Sequence, residues 1–92
     1  MKVNFHATLR NIVGTKTVEF AVSEAISVHD LIDEMVERYP GLRPALLDEA
    51  GNLSRGVHVC VNGRGAGFLP GGVETMLSAA DAIDVFPAVA GG

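Results

Sequence analysis

Val28, Leu31, Ile32, Met35 and Val36 are the one extended set of apolar residues in this chain that recurs at helical spacing. That spacing puts all five on one stripe of a single helix, and the stripe has to be buried against another element. Asp30, Asp33, Glu34, Glu37 and Arg38 take the remaining positions and read as a solvated face. Ser27 stands where a cap is needed, with Asp30 three residues on, a weaker form of the capping box. Tyr39-Pro40-Gly41 ends the helix, because Pro40 disfavours helical geometry at Tyr39 and Gly41 permits a reversal.

Around this helix the apolar residues alternate. Val3, Phe5, Ala7 and Leu9 share one side of a strand, Asn11 to Thr15 with Gly14 forms a turn, and a second strand runs from Thr17 to Val22 with Val18 and Phe20 on one face. The pair predicts an antiparallel hairpin. Pro44 to Leu47 adds a further helical turn and Asp48 to Gly56 is a polar loop. Val57-His58-Val59-Cys60-Val61 is the most strand-like run, followed by Asn62-Gly63, the strongest short turn signal in the chain. A short strand is expected around Gly67-Phe68, a turn over Leu77 to Asp81, and a last strand over Ala82 to Phe86 with Ile83 and Val85 facing one way. Strand, strand, helix, strand, short strand, strand is the order of an α+β roll with one core. At 92 residues the chain has room for no second core.

Composition removes several function classes. A formal charge of −4 with scattered Lys and Arg argues against nucleic acid as a partner. No apolar run approaches the roughly 20 residues needed to span a bilayer, and the chain enters its alternation at Val3 with no apolar signal stretch, so no membrane and a cytoplasmic location are the expectations. Cys60 is the only cysteine, which excludes an internal disulfide framework; inside a β-branched strand it reads as a small, partly buried hydrophobe. His6, His29 and His58 lack the spacing of a zinc motif and read as surface or sheet-edge histidines, so no metal is expected. Gly63, Gly65, Gly67 and Gly71-Gly72 are followed by neither Lys-Ser/Thr nor a clear helix start, so they read as turn formers rather than a phosphate loop.

The last residues carry the chemistry. Pro87 stops ordinary sheet pairing, and Ala88-Val89-Ala90-Gly91-Gly92 follows as a tail of small residues. Residues 1–87 are therefore read as the folded domain and 88–92 as a flexible tail. Glycine lacks the Cβ that would clash in a narrow channel, so Val89, Ala90 and Gly91 suit threading into an active site and Gly92 presents the terminal carboxylate. A carboxylate is a poor acyl donor until its oxygen is converted to a better leaving group, as by adenylation with ATP. That activation requires a partner enzyme.

Phe86-Pro87-Ala88-Val89-Ala90-Gly91-Gly92 resembles the C-terminus of the ubiquitin-like sulfur carriers of the MoaD/ThiS type, the MoaD branch above all. Phe5-His6-Ala7-Thr8-Leu9-Arg10 before Gly14, Tyr39-Pro40-Gly41-Leu42 and Val59-Cys60-Val61-Asn62-Gly63 resemble the branch's first strand and turn, helix end and third strand. The sequence departs from the pattern at Ala80-Asp81, where many members have Gly-Asp, and at Ala88, where many have a second proline. It is also longer than a minimal thiamine-pathway carrier.

The resemblance implies a β-grasp (ubiquitin-like) roll, with a mixed sheet and one main helix on one face. It implies that Gly92 is the covalent attachment point, adenylated by an E1-like enzyme that uses ATP and then converted to a thiocarboxylate. Phe86 and Pro87 would contact partners, and the chain would bind no cofactor of its own and act as a protein co-substrate rather than an enzyme. The sulfur acceptor it implies first is a molybdopterin synthase large subunit; cysteine biosynthesis and tRNA thiolation are the alternatives, since Pro-Ala-Val-Ala-Gly-Gly also resembles carriers dedicated to cysteine. Two readings from other classes stay open: a modifier joined through Gly92 to lysines, and a plain interaction module.

Overall fold

In a computed structural model of the chain, residues 1–22 and 25–87 are described. Strand β1 (Lys2–Phe5) is followed by a short helix α1 (Thr8–Val13), then β2 (Thr17–Glu19) and β3 (Ala25–Ser27). The main helix α2 (Val28–Arg38) leads through a 3-10 turn at Pro40–Leu42 into α3 (Arg43–Leu46). Strands β4 (His58–Val61) and β5 (Arg64–Gly65) come next, then 3-10 turns at Ala66–Phe68 and Gly72–Glu74, β6 (Met76–Ser78) and β7 (Ala82–Phe86).

Alternation explains why these strands share a face. Val3 and Phe5 of β1, Val18 of β2, Val59 and Val61 of β4, and Ile83 and Val85 of β7 are all buried, while the residues between them point to the other side. The five-stranded sheet has the order β2-β1-β7-β4-β5. β1 pairs antiparallel with β2 and parallel with β7, and β7 pairs antiparallel with β4. The five predicted apolar positions of α2 are all buried, in one core with the sheet's inner face. A mixed sheet grasping one main helix is the β-grasp arrangement.

Local chemistry sets the edges of α2. The Ser27 hydroxyl accepts from the Asp30 amide at 3.0 Å, satisfying one of the donors a helix start leaves open. At the other end the Arg38 guanidinium donates to the Glu19 carbonyl at 2.9 Å and lies 5.3 Å from the centre of the Phe20 ring, tying the helix to the end of β2.

Four expectations are corrected. The first strand stops at Phe5 rather than running to Leu9: Ala7 takes φ 53° and is exposed, and Leu9 reaches the core from α1, which occupies most of the expected turn. The second strand is shorter than Thr17 to Val22, although Phe20 is buried as expected. Gly67-Phe68 lies in a 3-10 turn, and the short strand is Arg64–Gly65, paired directly across Asn62-Gly63. Leu77 belongs to β6, which pairs antiparallel with β3 in a two-stranded ribbon, and the turn is confined to the residues before Asp81.

That turn supports the last strand. Asn62 and Gly63 both adopt positive φ (52° and 85°), the requirement of a two-residue hairpin turn. The Asn62 side chain reaches β7, accepting from the Ala82 amide at 2.9 Å and donating to Asp81 Oδ1 at 3.0 Å. The Ser78 amide donates to Asp81 Oδ2 at 2.8 Å. The Ser78 amide first, then the Asn62 amide, hold the Asp81 carboxyl below its ordinary range, against a small opposing effect of burial.

Asp81 therefore ionises more readily folded than unfolded. Its stabilising contribution is complete above the unfolded value of about 3.9 and disappears as pH falls through the lower folded value. Asp81→Asn is expected to lose stability at neutral pH and to show a smaller further loss between about pH 5 and pH 2 than the parent chain. Thermal midpoints across that range check it, and parallel acid profiles would refute it.

Candidate functional site

β7, the last described strand, lies in the middle of the sheet between β1 and β4. Ile83 and Val85 point into the core, which leaves Asp84 and Phe86 on the outer face. Phe86 closes the strand and is 38% exposed; Pro87 beside it is half-buried. Proline has no amide hydrogen to donate to a ladder, consistent with pairing that ends at Phe86. Val89, Ala90, Gly91 and Gly92, the threading and attachment residues expected from the sequence, lie outside the described residues, as does the whole 88–92 tail.

An ordered array borders Phe86. Parallel pairing sets Asn4 against Asp84 and Phe5 against Val85, and the His6 amide continues the ladder by donating to the Val85 carbonyl at 3.1 Å. His6 and Phe86 therefore come side by side on the outer face. Their rings stack with centroids 4.2 Å apart and planes inclined by 10°. His6 Nε2 is 2.8 Å from Asp84 Oδ1, the same oxygen that accepts from Asn4 Nδ2 at 3.2 Å. Asn4 Oδ1 in turn accepts from the Thr17 hydroxyl at 2.7 Å. On the other flank His58 of β4 is the register partner of Phe86, and Cys60, half-buried, is the partner of Asp84.

His6 and His58 were expected as surface or sheet-edge residues opposite the apolar alternation; His58 is exposed on the outer face of β4, and His6, just past the end of β1, is half-buried. The array around His6 was not foreseen. Asn4 and His6 stand two residues apart, in β1 and just past its end, but nothing local shows that Asp84 lies beside them. A histidine bonded to a carboxylate supplies two of the three members of a nucleophilic triad. Among the described residues, however, no hydroxyl or thiol hydrogen-bonds to His6. What the geometry provides is an aromatic pair, His6 on Phe86, held by polar contacts at the end of β7.

His29 stands apart, at the start of α2, 3.7 Å from an Asp30 oxygen and 3.4 Å from an Asp33 oxygen. All three are exposed and belong to the solvated helix face. Near the strand end, His58 also borders an open apolar depression of about 300 Å³, which Leu53, Val57 and Val73 line and whose rim carries Phe68, 87% exposed. Among the described residues no helix is long and apolar enough to cross a membrane.

Comparison with known proteins places this geometry among relatives. The family model described as the ThiS family matches residues 3–92. The chain is 36% identical over 92 residues to small archaeal modifier protein 3 of Haloferax volcanii, an alignment covering 100% of this chain and 98% of that protein. The crystal structure of SAMP1 from Haloferax volcanii superposes with a TM-score of 0.85 at 27% identity, covering 100% of this chain and 98% of that one. A chain of the Amycolatopsis orientalis BexX/CysO complex superposes with a TM-score of 0.77 at 32% identity, covering 99% and 98% respectively.

Proposed function

Because this chain belongs to the ThiS family, a family of small ubiquitin-like carrier and modifier proteins, we propose that it is a sulfur carrier acting through the carboxylate of Gly92. The observation that carries the reading is the reach of the family match, residues 3–92, which includes the closing Gly91-Gly92. In the reaction we propose, a Gly92 carboxylate oxygen attacks the α-phosphorus of ATP in the active site of an E1-like enzyme, and pyrophosphate leaves. A sulfur nucleophile then attacks the acyl carbon of the adenylate and AMP leaves. With sulfide as that nucleophile the product is directly a thiocarboxylate with one oxygen replaced by sulfur. With a donor's persulfide, a thiol reductant must also cleave the S–S bond of the acyl disulfide that forms. The chain does none of this chemistry itself; it is the co-substrate that brings the acyl group.

Phe86 and Pro87 are the residues we assign to partner contact, since they immediately precede residues 88–92 in the sequence and are not fully buried. Val89, Ala90 and Gly91 are assigned to threading, because small side chains keep the last stretch slim enough for an enzyme channel. The sulfur acceptor we propose first is a molybdopterin synthase large subunit, on the MoaD-like motifs at Phe5 to Arg10, Tyr39 to Leu42 and Val59 to Gly63. A carrier role in cysteine biosynthesis draws support from the 32% identity to the BexX/CysO chain. A second class of function, a modifier joined to lysines through Gly92, draws support from the 36% full-length identity to small archaeal modifier protein 3.

Intact-mass spectrometry tests the carrier reading. After incubation with the cognate E1-like enzyme, ATP and a sulfide source, the chain is expected to gain the mass difference between one sulfur and one oxygen. An unchanged mass with an active cognate enzyme overturns it. Adding a molybdopterin synthase large subunit and its pterin substrate should return the mass to the starting value. Lysine-linked adducts in cell extract without any thiocarboxylate would instead favour the modifier.

A further inference from the structure

A surface phenylalanine at a strand end would ordinarily sample several rotamers, and a partner that docks on it would have to arrest that motion. Phe86 is not in that position. The His6 ring lies against it at 4.2 Å, nearly parallel. His6 is itself fixed at two points: its amide on the Val85 carbonyl, and Nε2 on Asp84 Oδ1. Asp84 is in turn held by Asn4, and Asn4 by Thr17, so the chain of contacts runs across three adjacent strands, β2, β1 and β7.

His6 and Asp84 are partly sheltered, their side chains 24% and 27% exposed, while Phe86 beside them is 38% exposed. Anchored polar groups thus support an aromatic face that is still available to a partner.

We propose that His6 is a positioning residue for activation of the tail: its ring, aimed by Asp84, holds Phe86 in the orientation that the E1-like enzyme binds. This rests on the carrier reading and adds to it a residue that makes no contact with the reacting carboxylate. A clamp of this kind works by paying the ordering cost of Phe86 before the encounter, so it strengthens binding in the ground state and transition state alike. Uniform binding lowers KM and leaves kcat unchanged.

The contrary reading is that the array only joins β1 to β7. Three variants separate the two. His6→Gln keeps a donor for Asp84 and removes the ring; His6→Phe keeps a ring and removes the donor; Phe86→Ala removes the group being positioned. With the E1-like enzyme and ATP–pyrophosphate exchange as the readout, His6→Gln is expected to raise KM for the chain roughly three- to tenfold with kcat unchanged. His6→Phe should fall between the parent and His6→Gln, since it keeps the stack and loses the bond to Asp84 that aims the ring. In the Phe86→Ala background, His6→Gln should add nothing, because the residue it acts through is gone.

A spectroscopic measurement on the free chain does not depend on any partner. The Phe86 ring protons should be shifted upfield by the neighbouring ring in the parent and in His6→Phe, and return toward ordinary values in His6→Gln. The clamp is overturned if His6→Gln leaves KM unchanged, if it costs the same factor with and without Phe86, or if it lowers kcat instead. A parent chain with ordinary Phe86 ring shifts overturns it too. If the parent shows the shifts but supports no exchange, the carrier reading falls, and with it the role in activation.

Discussion

Deleting Gly92 is expected to reduce adenylation and sulfur loading by at least about a hundredfold while leaving the thermal midpoint unchanged. The shortened chain still ends in a glycine carboxylate, so the chemistry of the group is the same. Only its reach differs, by the roughly 3.3–3.6 Å that one extended residue spans. An acyl group that must meet the α-phosphate of ATP in line tolerates little misplacement, and about 1 Å can cost a hundredfold. Among the described residues the buried core ends at Val85 and β7 at Phe86, so the deletion removes none of the packing on which the described fold rests. Intact mass after reaction with the E1-like enzyme checks the first part and a thermal scan the second. A truncated chain that still gains sulfur would place the reacting carbonyl elsewhere.

Short-range signals in the sequence were faithful. The cap at Ser27, the five apolar positions of α2 and its end before Pro40 all stand as read, because each depends on residues within a turn or two of one another. The Asn62-Gly63 turn was equally legible. Its two-residue geometry even requires pairing to resume at Arg64, a consequence overlooked in favour of a strand at Gly67-Phe68.

Ambiguity entered where one residue fits two periods. Leu9 continues the alternation of Val3 and Phe5, yet it is buried from a helix; the break is the positive φ of Ala7, which no pattern of apolar residues announces. β3 and β6 were missed for another reason. Each is three residues long, shorter than any reliable alternation, and their partnership joins Ala25 to Ser78. The candidate site divides along the same line. The end of β7 at Phe86, just before Pro87, could be read from the strand stopping at a proline. The His6–Asp84–Phe86 array could not, since it exists only through a parallel register that brings residues about 80 positions apart to the same place.

Phe5 is where that register and the core coincide, and Phe5→Ala is expected to be the most damaging substitution in the described fold. The side chain is fully buried, in a strand flanked by β2 and β7. Its amide donates to the Lys16 carbonyl at 2.7 Å, and it sits opposite Val85 in the pairing that carries His6 to Phe86. Truncating a buried phenylalanine costs about 3–5 kcal/mol, because the lost apolar burial is joined by a cavity that close packing fills only in part. Small domains have about 5–15 kcal/mol in total. In a chain of this length each kcal/mol moves the midpoint by about 4–8 °C, so a fall on the order of 15–30 °C should appear in a thermal scan. Phe5→Leu should lose much less, since most of the volume remains. The tail chemistry needs only a folded platform, so the alanine variant should load sulfur nearly normally at low temperature and fail as the folded fraction declines on warming. Equal loss of loading at all temperatures, in a chain shown to be folded, would instead mean that Phe5 shapes the docking face directly.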